Sequence, residues 1–208
     1  MTGRVVLVRH GETEWSRRGR HTGTTDLPLT AAGEAAAAGV AGLLADLLAG
    51  SSLAAVYTSP LRRARRTADL AGLGAGAVVD PDLVEWNYGE QEGRTTAEIR
   101  QQRAGWTLWR DGVTGGETAA EVAVRADRVL ARVRVVQGDV AIVAHGHLLR
   151  VLAARWLGCP PEYGRFLALS AAGVSVLGHE YATPVLERWN LTASIPGAAD
   201  DGRDPTGY

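Results

Sequence analysis

The chain contains no lysine; all 22 of its basic residues are arginine. That excludes Schiff-base chemistry and the phosphate-binding lysine of a P-loop. A single cysteine, Cys159, leaves no internal disulfide and no cysteine-built metal cluster, and it suits a cytoplasmic setting. An excess of either sign of charge is also lacking. The formal net charge is -1 at pH 7, so the chain carries no electrostatic footprint for DNA or another polyanion. Long hydrophobic runs are scarce. The N-terminal apolar run is four residues, too short for a signal peptide. The stretch 35–48 is apolar, but Asp46 interrupts it and Glu34 precedes it. It reads as a helix packed on a sheet, too short and too interrupted for a membrane span. What remains is 208 residues, 46% hydrophobic, enough for one domain with a large core.

Residues 5–8 (VVLV) read as a buried strand that ends on Arg9-His10-Gly11-Glu12-Thr13. Residues 13–29 are polar and carry Gly19, Gly23 and Pro28, which marks a loop. Thr30 is placed to N-cap a helix running to about Leu48. Strands are predicted at 54–57, 78–79, 140–144, 174–177 and 185–189. Helices are predicted at 61–70, 95–106, 117–136 and 148–157, with loops at 83–94 and 112–116. Val122, Ala126, Val129, Leu130, Val133 and Val136 form the apolar stripe of the longest of these helices. Strands alternating with helices indicate an α/β fold, a three-layer α/β/α sandwich with a mostly parallel central sheet. The sequence reads as one domain over 1–194 and a disordered Gly-, Pro- and Asp-rich tail over 195–208.

Two strands end in the same way, Val8-Arg9-His10-Gly11 and Val143-Ala144-His145-Gly146. If they are neighbours in a parallel sheet, both imidazoles meet at the carboxyl edge, where open α/β sheets bind ligands. Ser59-Pro60-Leu61-Arg62-Arg63-Ala64 reaches the same edge, bringing one or both of Arg62 and Arg63. Guanidiniums beside imidazoles suit a phosphoryl dianion. Arg65 and Arg66 read as a solvated helix face.

These segments resemble the histidine phosphatase superfamily, the phosphoglycerate mutase-like fold. The resemblance rests on RHGET at 9–13, GRHTGTTDLPL at 19–29, TSPLRRARRTA at 58–68, EWNYGEQEG at 85–93, GGET at 115–118 and AHGHLL at 144–149. It is similar in look to the broad-specificity acid phosphatases and the sedoheptulose-bisphosphatase-like members. The resemblance implies His10 as nucleophile and Arg9, Arg63 and His145 as holders of the phosphoryl oxygens, with Arg62 as the fallback for Arg63. It implies Glu85 as the acid and base. Glu12, Glu90 and Glu92 are rival carboxylates, Glu12 placed to hydrogen-bond the loop and Glu90 and Glu92 read as rim or solvent residues. Ser16, Thr22, Gly23, Tyr88, Gly146 and His147 would line the substrate site. His147 stands where the family's mutases usually carry Asn. Trp15 and Trp86 are pocket-wall residues on this reading, whereas Trp106 and Trp109 read as core.

The implied activity is hydrolysis of small phosphorylated metabolites by a cytoplasmic phosphomonoesterase that needs no metal and no cofactor. Nucleic-acid and membrane partners are not expected, and a homodimer is compatible with the sequence. The segment 94–116 is short and lysine-free, which favours hydrolysis over mutase activity. A bisphosphatase would need a second anion site, for which Arg100, Arg103, Arg110 and Arg165 are the sequence candidates. A non-catalytic phospho-ligand binder would be expected to have lost His10, Glu85 or an arginine, and none is lost.

Overall fold

The computed structural model describes residues 3–193. The tail read as disordered from 195 onward lies outside the described residues. In chain order the elements are β1 (Val5–Arg9), α1 (Glu14–Arg17), α2 (Ala31–Leu48), β2 (Leu53–Thr58), α3 (Arg62–Leu70), β3 (Val78–Val79), α4 (Thr96–Gln102), α5 (Leu108–Asp111), α6 (Ala119–Arg134), β4 (Asp139–Ala144), α7 (Gly146–Trp156), β5 (Val174–Glu180) and β6 (Thr183–Leu191).

The strands form one sheet in the order β3-β2-β4-β1-β5-β6. The pairs β3/β2, β2/β4 and β4/β1 are parallel, whereas β1/β5 and β5/β6 are antiparallel. Alternation along the central strands divides the core into two layers. Val5 and Leu7 of β1 with Val140 and Ile142 of β4 face a cluster that includes α6 and α7 residues. Val6 and Val8 with Ala141 and Val143 face the other cluster, built with Val40, Leu44, Ala64 and Ala68. Burial on both faces is why these strands read as unbroken apolar runs.

Threonine starts four of the helices. Thr13, Thr30, Thr95 and Thr118 each accept a hydrogen bond from a backbone N–H of the first turn. Helix α2 has 18 residues and is, by length and composition alone, apolar enough to cross a membrane, contrary to the estimate from sequence. One face of it carries the buried Ala37, Val40 and Leu44, and the last two pack into the second core cluster.

The predicted helix at 95–106 is shorter, closing at Gln102 before Gly105, whose φ of 70° leaves the helical region. The one-turn helices α1 and α5 escaped the sequence reading because four residues carry no period. The first turn of α2 is locked to the signature loop. A Cβ on Gly11 would stand 2.3 Å from the Gly33 carbonyl oxygen, and one on Gly33 would stand 2.1 Å from that of Glu12. Neither contact is tolerable for a side chain, so both positions require glycine.

Candidate active site

The register of β1 on β4 pairs Arg9 with Ala144, so the next residue of each strand, His10 and His145, emerge side by side. Their ring centroids lie 5.1 Å apart at an interplanar angle of 61°. Ser59 follows β2 at the same edge, its N–H donating to the Val143 carbonyl at 3.0 Å.

Both rings are buried. His10 Nδ1 lies 2.7 Å from the carbonyl oxygen of Gly11. An Nδ1–H donating there leaves the Nε2 lone pair free. Burial, reinforced by the charges of Arg63 and then Arg9, holds the His10 pKa well below 6.5, so the ring is neutral near pH 7. His145 is lowered in the same way, by burial first and the Arg63 charge second. Its Nδ1 accepts from Arg63 Nε at 3.2 Å, and its Nε2 sits 2.8 Å from Ser59 Oγ.

Arg63 is fully buried, and its guanidinium is engaged by the chain itself. Nη1 donates to the Thr25 carbonyl at 2.8 Å, and Nη2 donates to those of Thr22 and Gly23 at 3.2 and 2.9 Å. From the other side Glu92 accepts from the N–H groups of Gly23 and Thr25 at 2.9–3.0 Å. Glu92 is therefore an anchor of the loop at 22–25 rather than the rim residue expected from sequence. Arg63 and His145 lie in the layer beneath the pocket, because a buried guanidinium must find acceptors and the loop carbonyls supply them. Arg62 is exposed and lies in a separate surface groove with Arg65, Arg66 and Asp69.

The pocket itself holds about 470 Å³, open mouth included. Arg9 and His10 enter it from the end of β1, and Arg9 also donates through Nη1 to the Leu169 carbonyl. Ser16 enters from α1, and Gly19, Arg20, His21 and Thr22 from the loop that follows it. Glu85 and Tyr88 come from the segment after β3, and Gly146, His147 and Arg150 from α7. A Cβ on Gly146 would stand 3.3 Å from the Arg9 guanidinium, so this glycine gives the arginine its room. Gly23 sits in the anchored loop behind the pocket.

Glu85 is buried and caps α7 from outside that helix. Its Oε1 accepts from the N–H of Leu148 at 2.9 Å and from its own neighbour Trp86 at 2.9 Å, and its Oε2 accepts from His147 N–H at 3.1 Å. Glu12 accepts from the Thr30 hydroxyl at 2.8 Å and Glu90 is exposed, so neither joins the pocket.

An aromatic group forms one side of the pocket and the layer behind it. Tyr88 Oη is 2.6 Å from His147 Nδ1, and His21 lies 4.9 Å from the Tyr88 ring and 5.6 Å from Trp106. Trp109 packs between His147, at 5.3 Å, and Trp86, at 5.7 Å. Trp86, Trp106 and Trp109 form a layer behind the pocket-lining side chains, and Trp15 contacts Gly93 outside it. Burial lowers His21 to about 4 and, with the Arg150 charge, lowers His147 well below 6.5.

Three charged or titratable pocket residues are absent from the sequence-predicted site: Arg20, His21 and Arg150. The first two lie inside a quoted motif. Arg150 stands three residues after His147 on α7, which places both on one helix face. Its guanidinium stacks 4.9 Å over Trp109 and donates to the Gly164 and Arg165 carbonyls at 2.9 and 3.1 Å. The sequence candidates Arg100, Arg103, Arg110 and Arg165 are exposed and lie outside the pocket. Among the described residues, no group of three or more His, Cys, Asp or Glu side chains is arranged to hold a metal ion.

An acid phosphatase of Mycobacterium tuberculosis is 39% identical over 91% of this chain and 93% of its own. The sedoheptulose 1,7-bisphosphatase of Saccharomyces cerevisiae is 37% identical over 76% of this chain and 69% of its own. The solved structure of an open reading frame product of Mycobacterium tuberculosis superposes with a TM-score of 0.87, at 37% identity, over 93% of this chain and all of that one. Residues 5–192 match the family signature as a whole, and the chain belongs to the histidine phosphatase superfamily, branch 1.

Proposed function

We propose that this protein is a cytoplasmic phosphomonoesterase that hydrolyses small phosphorylated metabolites through a phosphohistidine on His10. One observation carries the reading. A buried, neutral imidazole is fixed through Nδ1 by the Gly11 carbonyl in a pocket shared with Arg9 and Glu85.

In the first half-reaction His10 Nε2 forms a bond to phosphorus as the ester P–O bond breaks, and the Glu85 proton passes to the departing alkoxide. In the second, water attacks phosphorus, its proton returns to Glu85, and the N–P bond breaks to release phosphate. Arg9 meets the phosphoryl oxygens from the pocket lining. Arg63 contributes its charge from the layer beneath, where low dielectric keeps that charge effective.

Glu85→Gln tests the proton transfer. The variant should lose on the order of 10²–10⁴-fold in kcat on an alkyl phosphate. It should lose much less on p-nitrophenyl phosphate, whose leaving group departs without a proton. Equal losses on both esters contradict the assignment.

The pocket also supports a substrate with a second anionic group, because Arg20 and Arg150 line it in addition to Arg9. Arg20→Gln should raise KM for a sugar bisphosphate by on the order of tenfold while leaving KM for the matching monophosphate near that of the unaltered enzyme. An equal rise for both substrates removes the distal contact.

A further inference from the structure

The segment that carries Glu85 has no regular secondary structure of its own to hold it. It lies between a single 3-10 turn at Pro81–Leu83 and another at Gly89–Gln91. Its backbone polar groups are nevertheless held by two residues from elsewhere in the chain, Glu117 and Arg125.

Arg125, on α6, donates through Nη1 to the carbonyls of Asp82 and Val84 at 2.7 and 3.0 Å, and through Nη2 toward that of Glu85 at 3.5 Å. The same guanidinium pairs with Glu117 at both carboxylate oxygens, 2.7 and 2.8 Å. Glu117 then grips the far side of Glu85. Its Oε2 accepts from Asn87 N–H at 2.9 Å, its carbonyl accepts from Trp86 Nε1 at 2.7 Å, and its N–H donates to the Asn87 carbonyl at 2.9 Å. Residues 82–87 are thus fastened on both sides of the carboxylate by one bidentate ion pair, and the guanidinium is nearly buried, with 11% of its side chain exposed.

We propose that Glu117 and Arg125 are positioning residues for the proton transfer made by Glu85. The proposal rests on the role given to Glu85 above. The pair sets where that carboxylate stands relative to His10 without touching substrate itself. A fork-shaped guanidinium suits this work because three carbonyls and a carboxylate present acceptors in several directions, which an ammonium on a flexible stem does not match.

The test is a cycle of variants assayed for kcat and KM on glycerol phosphate and on p-nitrophenyl phosphate. Glu117→Gln removes the charge at constant shape. It should lower kcat on glycerol phosphate by between about 10- and 100-fold, the range that a small displacement of a catalytic group produces. KM should hold, and the aryl ester should lose much less. Arg125→Lys keeps the charge and loses the fork, and it should show the same selectivity, which keeps the test open if Glu117→Gln does not fold.

In a Glu85→Gln background either change should cost little further, because the group being positioned is gone. A loss equal on both esters, or one that multiplies fully with Glu85→Gln, overturns the positioning role and leaves the Glu85 assignment intact. A Glu85→Gln enzyme with no leaving-group bias overturns the Glu85 assignment itself, and the positioning role falls with it.

Discussion

A His10→Ala enzyme should release no measurable phosphate from alkyl or aryl esters, a loss on the order of 10⁴-fold or more, because the group that bonds to phosphorus is absent. Arg9, Arg63 and Glu85 remain in the variant, so substrate should still bind. The loss should therefore fall on kcat. The unaltered enzyme, quenched during turnover of a phosphorus-labelled ester, should hold label that survives base and is lost in acid, as a phosphoramidate behaves. Peptide mapping should place that label on His10. Label on another residue, or turnover that survives the substitution, would end the proposed mechanism. His145 makes a sharp control. It lies 5.1 Å away and is as deeply buried, but both of its ring nitrogens are already engaged, by Arg63 and Ser59.

Acid should unfold this protein earlier than its carboxylates require. Four histidines, His10, His21, His145 and His147, are held below their ordinary value of 6.5, burial being the first cause for each. Above pH 6.5 neither the folded nor the unfolded chain protonates these rings, and their contribution to stability is intact. As pH falls below 6.5 the unfolded chain takes up protons that the folded chain refuses, and stability declines. For His21 the fall from 6.5 to about 4 corresponds to roughly 3 kcal/mol, complete once the pH has dropped through 4. Four such sites give a slope of up to about 1.4 kcal/mol per pH unit each.

The ion-paired carboxylate of Asp82, lowered to about 2 with its Arg128 hydrogen bond as the largest cause, enters only below 3.8. Urea midpoints taken from pH 7 to pH 4.5 should fall steeply, and His21→Gln should flatten the slope by close to one proton. A midpoint that stays level across that range would show that the rings are solvated.

Much of the fold is visible in the sequence because the central strands are buried on both faces and four of the helices carry a capping threonine at their start. The sequence also shows two His-Gly strand ends. Their meeting depends on the parallel register of β1 on β4, which no local pattern specifies. Glu85 is the opposite case. Residues 83–94 have no period, and only the resemblance to a known family marks this carboxylate among Glu12, Glu90 and Glu92. Glu92 looks like a surface residue because its partners, the N–H groups of Gly23 and Thr25, lie 67 to 69 positions away. Helix phase separates Arg62 from Arg63: the first faces solvent and the second turns into the protein. Arg150 shares a helix face with His147, and the i, i+3 spacing on α7 is the sequence signal for it.

Main chain meets main chain where Gly11 and Gly33 touch, within two residues of the proposed nucleophile. No larger amino acid fits on either side of that joint, so natural variation has almost no freedom beneath the reacting imidazole. Changes in diet, from one phosphorylated compound to another, must enter across the cleft instead. There Ser16, Arg20, His21 and Arg150 present replaceable side chains, and the chemistry can be inherited unaltered while the menu is rewritten.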